Sequence, residues 1–368
     1  MTKIVCTVTT DLNYDQRMIR ICSALADAGY EVTLIGRKRK HTKEFSHKPY
    51  KQVHLSGWFE NGFLFYAEYN ISLFFYLLFH KFDIINTCDL DTIFPGVICS
   101  KLKGIPVVYD AHEYFTEQEE IVNRPLIKKF WKWIERFSIP KIAAGYTVSK
   151  GYAKLFEKEY HQHFSVVRNV TRLHPQNNNS IDTDKYILYQ GAVNEGRGLE
   201  VLIQSMPYIQ NVRLVICGLG DIYEDLILLS KKLGVEDKVE FKGYVEPDQL
   251  KKITANAHIG ITYFANEGLS HKYSLANRFF DYMHAGVPQI AMAYEEYICF
   301  NEEYEVAYLM PHLSVDESVK ALNKLLTDEV YYNSLHENAL KAREVHNFQQ
   351  DEKVLTSIYQ ELLAPDQV

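Results

Sequence analysis

The residues of this 368-residue chain that could do chemistry fall in four short stretches. In YDAHEYF, residues 109–115, His112 stands among Asp110, Glu113 and the following Glu117. An imidazole there can donate to, or accept from, a bound sugar hydroxyl, although a lone His also fits a structural role. In GAVNEGRG, residues 191–198, Asn194, Glu195 and Arg197 sit in a glycine-bearing loop, and GLGD begins at Gly218. In SHKYSLANRFFDYMHAGVPQI, residues 270–290, Arg278 and Asp281 are three apart and Asn277 and Asp281 four apart, so they project from one helix side. A helix start carries unpaired N–H groups and partial positive charge, which suits a diphosphate. A carboxylate one or two turns further in can accept both hydroxyls of a ribose. The same spacing also fits an ordinary amphipathic helix with an i,i+3 ion pair. The fourth stretch, DLNYDQRM, carries Asp11, Asn13, Asp15 and Arg17, with a helix cap by Asp15 as the alternative to a ligand role.

Each stretch must be positioned by the elements around it. Residues 3–9 read as a strand, 16–28 as a helix and 31–35 as the next strand, the opening of a doubly wound α/β domain without the GxGxxG fingerprint. A helix over 66–82, strands at 82–86 and 106–109, and a strand at 145–148 continue the rhythm. Residues 171–184, TRLHPQNNNSIDTD, form the best linker. The alternation restarts with strands at 186–189, 212–217, 239–242 and 258–262, the last running into the stretch with Arg278. That helix is expected to open near Ser274, to bury Leu275, Phe279 and Met283, and to end at Gly286 and Pro288. Ligands of such sheets sit at the carboxyl ends of strands, where these loops collect. The expectation is an α/β chain of two Rossmann-like doubly wound domains, 1–170 and 185–348, facing a central cleft, with a C-terminal helix (349–368) returning to the first domain.

The totals narrow the function classes. A net charge of -7 argues against a nucleic-acid partner held by general electrostatics. Six cysteines without CxxC spacing read as buried free thiols in a reducing compartment, and no zinc-ligand spacing occurs, so no metal is expected. The N-terminus reads as strand and loop, not signal peptide, and the most apolar run, 71–79, is too short to span a bilayer. A cytoplasmic protein, at most peripheral at the inner face of a membrane, is expected. The peripheral contact would use residues 124–141, from Arg124 to Lys141, a basic and aromatic amphipathic helix that can also pack on its own domain.

With the loops placed, DLNYDQRM, YDAHEYF, GAVNEGRGLEVL, ICGLGD and ANRFFDYMHAGVPQIA together resemble, in order and spacing, a GT-B glycosyltransferase close to family 4, of the kind that builds bacterial surface polysaccharides. The resemblance implies transfer of a sugar from a UDP- or GDP-linked donor to a saccharide or lipid-linked acceptor, with retention, no metal and no further cofactor. It places Arg197 on the donor diphosphate, Asp281 on the ribose, and Gly243, Tyr244 and Val245 against the base. Asn194, Glu195, Gly218, Lys272 and Arg278 complete the donor side. His112, near the sugar, is catalytic with Arg197, and Asp11, Asp15, Arg17 and Glu113 lie on the acceptor side. The chain departs from the pattern at Tyr273, where the first acid of an E-x7-E signature is absent, at Ala192 in place of Arg, at Asp281 in place of Glu, and at Arg278 in place of Lys. Glu267 or Lys272 would reach the donor sugar. Two other readings of the same residues are a sugar-nucleotide epimerase, which would need no acceptor, and a non-catalytic nucleotide-binding subunit, which Tyr273 and Ala192 favour.

Overall fold

Alternating apolar strands and amphipathic helices fold into two compact units, Met1–Arg168 with Gln350–Val368, and Asn169–Gln349. The computed structural model describes residues 1–13, 15–39, 47–174, 185–265 and 269–364. Tyr14, Glu267 and residues 175–184, most of the expected linker, lie outside them.

In the first unit β1 (Lys3–Thr7), α1 (Gln16–Asp27), β2 (Glu31–Arg37), β3 (Lys51–Leu55), α2 (Gly62–Phe79), β4 (Ile84–Cys88), α3 (Leu90–Lys103) and β5 (Val107–Ala111) are followed by α4 (Glu119–Val122), α5 (Pro125–Ser138), β6 (Ala144–Thr147), α6 (Lys150–Tyr160) and β7 (Phe164–Val166). All seven strands run parallel in the order β3-β2-β1-β4-β5-β6-β7. The order reverses beside β1, so the loops after β1, β4 and β5 meet at a switch point. β1, β4 and β5 are almost wholly buried on both faces, as a sheet covered on two sides requires.

In the second unit β8 (Tyr186–Gln190), α7 (Leu199–Ser205), β9 (Arg213–Cys217), α8 (Tyr223–Lys232), β10 (Val239–Gly243), α9 (Pro247–Asn256), β11 (Ile259–Thr262), α10 (Leu269–Lys272), α11 (Asn277–Ala285), β12 (Gln289–Met292), α12 (Glu295–Glu303), β13 (Ala307–Met310), α13 (Val315–Thr327) and α14 (Glu329–Val345) form a second parallel sheet, β10-β9-β8-β11-β12-β13. The last helix, α15 (Phe348–Leu363), is anchored in the first unit. Asp351 accepts from the Arg168 backbone (2.7 Å) and guanidinium (2.6 Å), and Asn86 donates to the Tyr359 hydroxyl (2.6 Å).

Three expectations need correction. The apolar run at 71–79 belongs to an 18-residue helix, α2, which by length and composition is long and apolar enough to cross a membrane. Its inner stripe, Phe65, Tyr69, Leu73 and Leu77, is buried in the first unit. The helix expected to open near Ser274 opens at Asn277, because Ala276 before it is extended and its N–H is taken by the Tyr297 hydroxyl (3.1 Å). Leu275, Phe279 and Met283 are buried and Gly286 ends the helix in the left-handed region, as the pattern requires. Finally, Arg278 is not on an exposed flank with Asn277 and Asp281; it is 8% exposed.

Candidate active site

At the switch point of the first unit, β5 delivers Asp110 and the following turn delivers His112. Asp110 is fully buried and accepts from Arg17 Nη2 (2.7 Å) and Nε (3.3 Å), while His112 Nε2 lies 3.0 Å from its second oxygen. Arg17, from the first turn of α1, donates its remaining nitrogen to the Val167 carbonyl (2.9 Å). Asp89, after β4, accepts from the His112 N–H (2.9 Å) and keeps its other oxygen 3.6 Å from His112 Nδ1. Asp89 holds φ +53°, a left-handed backbone that costs a non-glycine residue energy and that this hydrogen bond helps to fix.

The charges decide what His112 can do. Burial alone would lower its pKa, but Asp110 and Asp89 outweigh burial and push it up to about 9. Burial would raise Asp110, yet Arg17 and His112 hold it down at about 2. Asp89 goes the other way, raised by burial to about 7, and Asp91 by burial to about 6. At neutral pH the site therefore presents an imidazolium, a hydrogen-bond donor and acid. Cys88, Asp110 and His112 offer three ligand atoms within 4.8 Å of one another. A metal there would have to compete with the Arg17 guanidinium for Asp110.

Asp15 caps α1 through the Met18 N–H (3.0 Å) and accepts from Thr10 (2.8 Å); Asp11 accepts from the Asn13 N–H (3.1 Å), and Glu113 from Gln118. Arg17 is buried, so what it touches is Asp110 and the Val167 carbonyl rather than the surface.

In the second unit two glycines let adjacent strand ends close up. Gly191 (φ +131°) and Gly218 (φ +150°) approach so nearly that a Cβ on Gly218 would lie 1.8 Å from the Gly191 oxygen. Beside them, β11 runs into Tyr263 and Phe264. Arg278 reaches from α11 to the Tyr263 carbonyl (3.1 Å) and the Tyr189 hydroxyl (3.4 Å), its guanidinium 4.5 Å from the Phe264 ring centre. Arg197 approaches the same ring at 5.0 Å. Two guanidiniums thus converge on one aromatic ring, each able to stack on it. His271 stacks there too, at 4.6 Å, and burial, with Arg197 and Arg278, lowers its pKa to about 4. Positive charge that suppresses a neighbouring imidazolium is what an anion would meet.

Asp281 accepts from Thr171 (2.7 Å) and Gln190 (2.9 Å), so it sits at the end of β8, apart from the direct contacts of Arg278. Asn194 accepts from the Asp221 N–H (3.2 Å) and braces the loop after Gly218, and Glu195 is exposed. Tyr244 is exposed near Glu246, whereas Val245 packs on the core around Tyr186 and Leu188. Lys272 ends α10. Phe264, His271, Tyr189 and Gln190 were not picked out by the sequence reading; the only local signal was that 263–264 follow an apolar strand.

Residues 170–342 match the family model for glycosyl transferases group 1, and residues 16–173 that for glycosyltransferase family 4. With two parallel sheets of this order, the chain belongs to the GT-B glycosyltransferases of the family 4 kind. An 81-residue stretch is 42% identical to the uncharacterized glycosyltransferase MJ1607 of Methanocaldococcus jannaschii; the match spans 21% of this chain and 21% of that protein. Sucrose-phosphate synthase from Thermosynechococcus elongatus shares the fold at a TM-score of 0.81 and 15% identity, over 99% of this chain and 100% of that one. Anabaena HepE in complex with UDP and glucose does so at 0.79 and 12%, over 98% and 100%. WaaG, a glycosyltransferase involved in lipopolysaccharide biosynthesis, does so at 0.75 and 17%, over 97% and 99%.

Proposed function

We propose that the chain transfers a glycosyl group from a UDP- or GDP-linked sugar to a saccharide or lipid-linked acceptor, with retention and without a metal, in surface polysaccharide synthesis. The observation that carries the reading is the convergence of Arg197 and Arg278 on Phe264 at the carboxyl ends of β8 and β11. Breaking a sugar–diphosphate bond develops negative charge on the leaving phosphate. Fixed guanidiniums stabilise that charge as it forms, which is the role a divalent cation fills elsewhere. In this reading Asp281 takes the ribose diol, Tyr244 lies by the base, and Lys272 reaches the sugar. The His112 imidazolium donates to a hydroxyl or oxygen of the transferred sugar or acceptor. The HepE complexes with UDP and with UDP-glucose support a nucleotide-sugar donor, and WaaG supports the polysaccharide setting.

The test is thermal unfolding of the purified chain with UDP, GDP, ADP and CMP in turn, repeated with Arg197→Ala. One nucleotide should stabilise selectively, by about 2.7 kcal/mol at a hundredfold excess over Kd, and much less in the variant. Absence of stabilisation by all four at saturating concentrations would refute the donor assignment.

A further inference from the structure

Two helices of the first unit carry a second apolar stripe that is exposed among the described residues. Helix α2 buries Phe65, Tyr69, Leu73 and Leu77 at four-residue spacing. On its opposite side Ile71, Phe75 and Phe79 also repeat every four residues, and they are 59%, 50% and 76% exposed. Helix α5 behaves the same way. Trp131, Ile134 and Ser138 face inward, while Leu126, Phe130 and Trp133, at i, i+4 and i+7, are 84%, 41% and 55% exposed. The two helices touch through Phe63 and Phe130, ring centres 6.0 Å apart, so their outward stripes belong to one surface. Trp58, 91% exposed, stands on a loop that Glu68 of α2 holds by the Trp58 N–H (2.9 Å). Exposed contiguous apolar surface of this kind marks an interaction face.

The charge beside it selects the partner. An open groove of about 800 Å³ along α5 is lined by Lys128, Lys129, Lys132, Arg136 and Lys141 together with Trp133 and Phe137. Lys128 is paired with Glu117 (2.7 Å) and Lys132 with Glu135 and Glu159. Lys129 and Arg136 are exposed on the flank of the outward stripe. Long cationic side chains flanking exposed aromatic and aliphatic residues match an interface whose interior is apolar and whose surface is anionic.

We propose that α2 and α5 together form a monotopic docking face for an anionic phospholipid bilayer. Phe75, Phe79, Leu126 and Trp133 enter the headgroup and acyl boundary, and Lys129 and Arg136 engage lipid phosphates. Helix α2 lies in this interface and does not cross it, because Tyr69 and Leu73 are fully buried in the unit and the Tyr69 hydroxyl donates to the Val8 carbonyl. The proposal stands apart from the reaction assigned above, since none of these residues is in the sites described.

Co-sedimentation of the full chain with phosphatidylcholine vesicles, and with equimolar phosphatidylglycerol and phosphatidylcholine, tests it. The chain should bind the anionic vesicles, release as salt rises, and leave the neutral ones in solution. The pair Lys129→Gln with Arg136→Gln should weaken binding on the order of thirtyfold, each basic residue near an anionic surface counting about fivefold. The pair Ile71→Ser with Phe75→Ser should also lose binding while its thermal midpoint stays at or above that of the parent chain. No binding, equal binding to both vesicles, or full binding by either pair of substitutions overturns the proposal. So does a concentration-dependent dimer that the serine pair dissolves without any vesicle binding, which would make a second copy the occupant.

Discussion

Asp110→Asn isolates the charge balance on which the first unit's site depends. The wild-type carboxylate is fully buried between Arg17 at 2.7 Å and His112 at 3.0 Å. An amide of the same size keeps the shape and removes the charge, leaving a guanidinium that is 4% exposed without its counter-ion. Breaking one partner of a buried pair costs about 3–5 kcal/mol, and since the amide oxygen still accepts one hydrogen bond, roughly 3 kcal/mol is expected. The variant should also change how stability depends on pH. His112 is held above its ordinary 6.5, at about 9, so its contribution is fully present below 6.5 and is lost as pH rises through about 9. Over that interval, at about 1.4 kcal/mol per pH unit, the contribution is bounded near roughly 3 kcal/mol. Asp89, raised to about 7 from 3.8, also lowers stability as pH rises, but mostly below the window of His112. Asp110, held at about 2, contributes above 3.8 and is lost as pH falls through about 2. With Asp110 neutral, His112 should return toward its ordinary value and the loss of stability above pH 6.5 should flatten. All three tryptophans, Trp58, Trp131 and Trp133, lie in the first unit, so fluorescence-detected urea unfolding reports that unit selectively. Titration of the His112 ring by NMR gives the pKa directly. A variant within about 1 kcal/mol of the parent, with the same pH slope and an unmoved His112, would refute the reasoning.

Two further outcomes follow from the second unit. Arg197→Ala should cut turnover at least tenfold, and by about 10²–10³ if it carries a full donor to the leaving phosphate, with an unchanged thermal midpoint; near-parental turnover would remove Arg197 from the mechanism. Gly218→Ala puts a methyl 1.8 Å from the Gly191 oxygen at φ +150°, so it should both destabilise the unit, by about 2 kcal/mol or more, and weaken nucleotide-dependent stabilisation. A thermal midpoint equal to the parent's would show that the two strand ends need not stay closed.

What was legible in the chain, and what was not, divides by the distance over which the information acts. The strands at 107–111, 186–190 and 213–217 carry short apolar runs, and amphipathic helices follow them, so local periodicity suffices to place the loops that carry His112, Arg197 and Gly218. β3 escaped because it is a half-buried edge strand of mixed composition, and β13 because four residues at the other edge are too short a run to show a period. The most instructive error is Arg278. Spacing three from Asp281 correctly says that the two side chains leave the helix on neighbouring sides, but not which of those sides meets protein. Helix α11 also buries Phe280 and Tyr282, so it is covered over most of its circumference and leaves little wet flank for an arginine. A guanidinium can be buried there because Tyr189 and Phe264 present ring faces, at 4.8 and 4.5 Å, and the Tyr263 carbonyl accepts a hydrogen bond from it. Those partners come from the ends of two different strands, and only the pairing of β8 with β11 brings them together. The same holds for His112, whose ring lies 3.0 Å from Asp110, itself fixed by Arg17 from α1, and whose backbone N–H donates to Asp89 from the loop after β4. Residue types and spacing thus announce where chemistry can occur, whereas the protonation and charge that make it occur are set across the sheet, by neighbours that no helical or strand period can count.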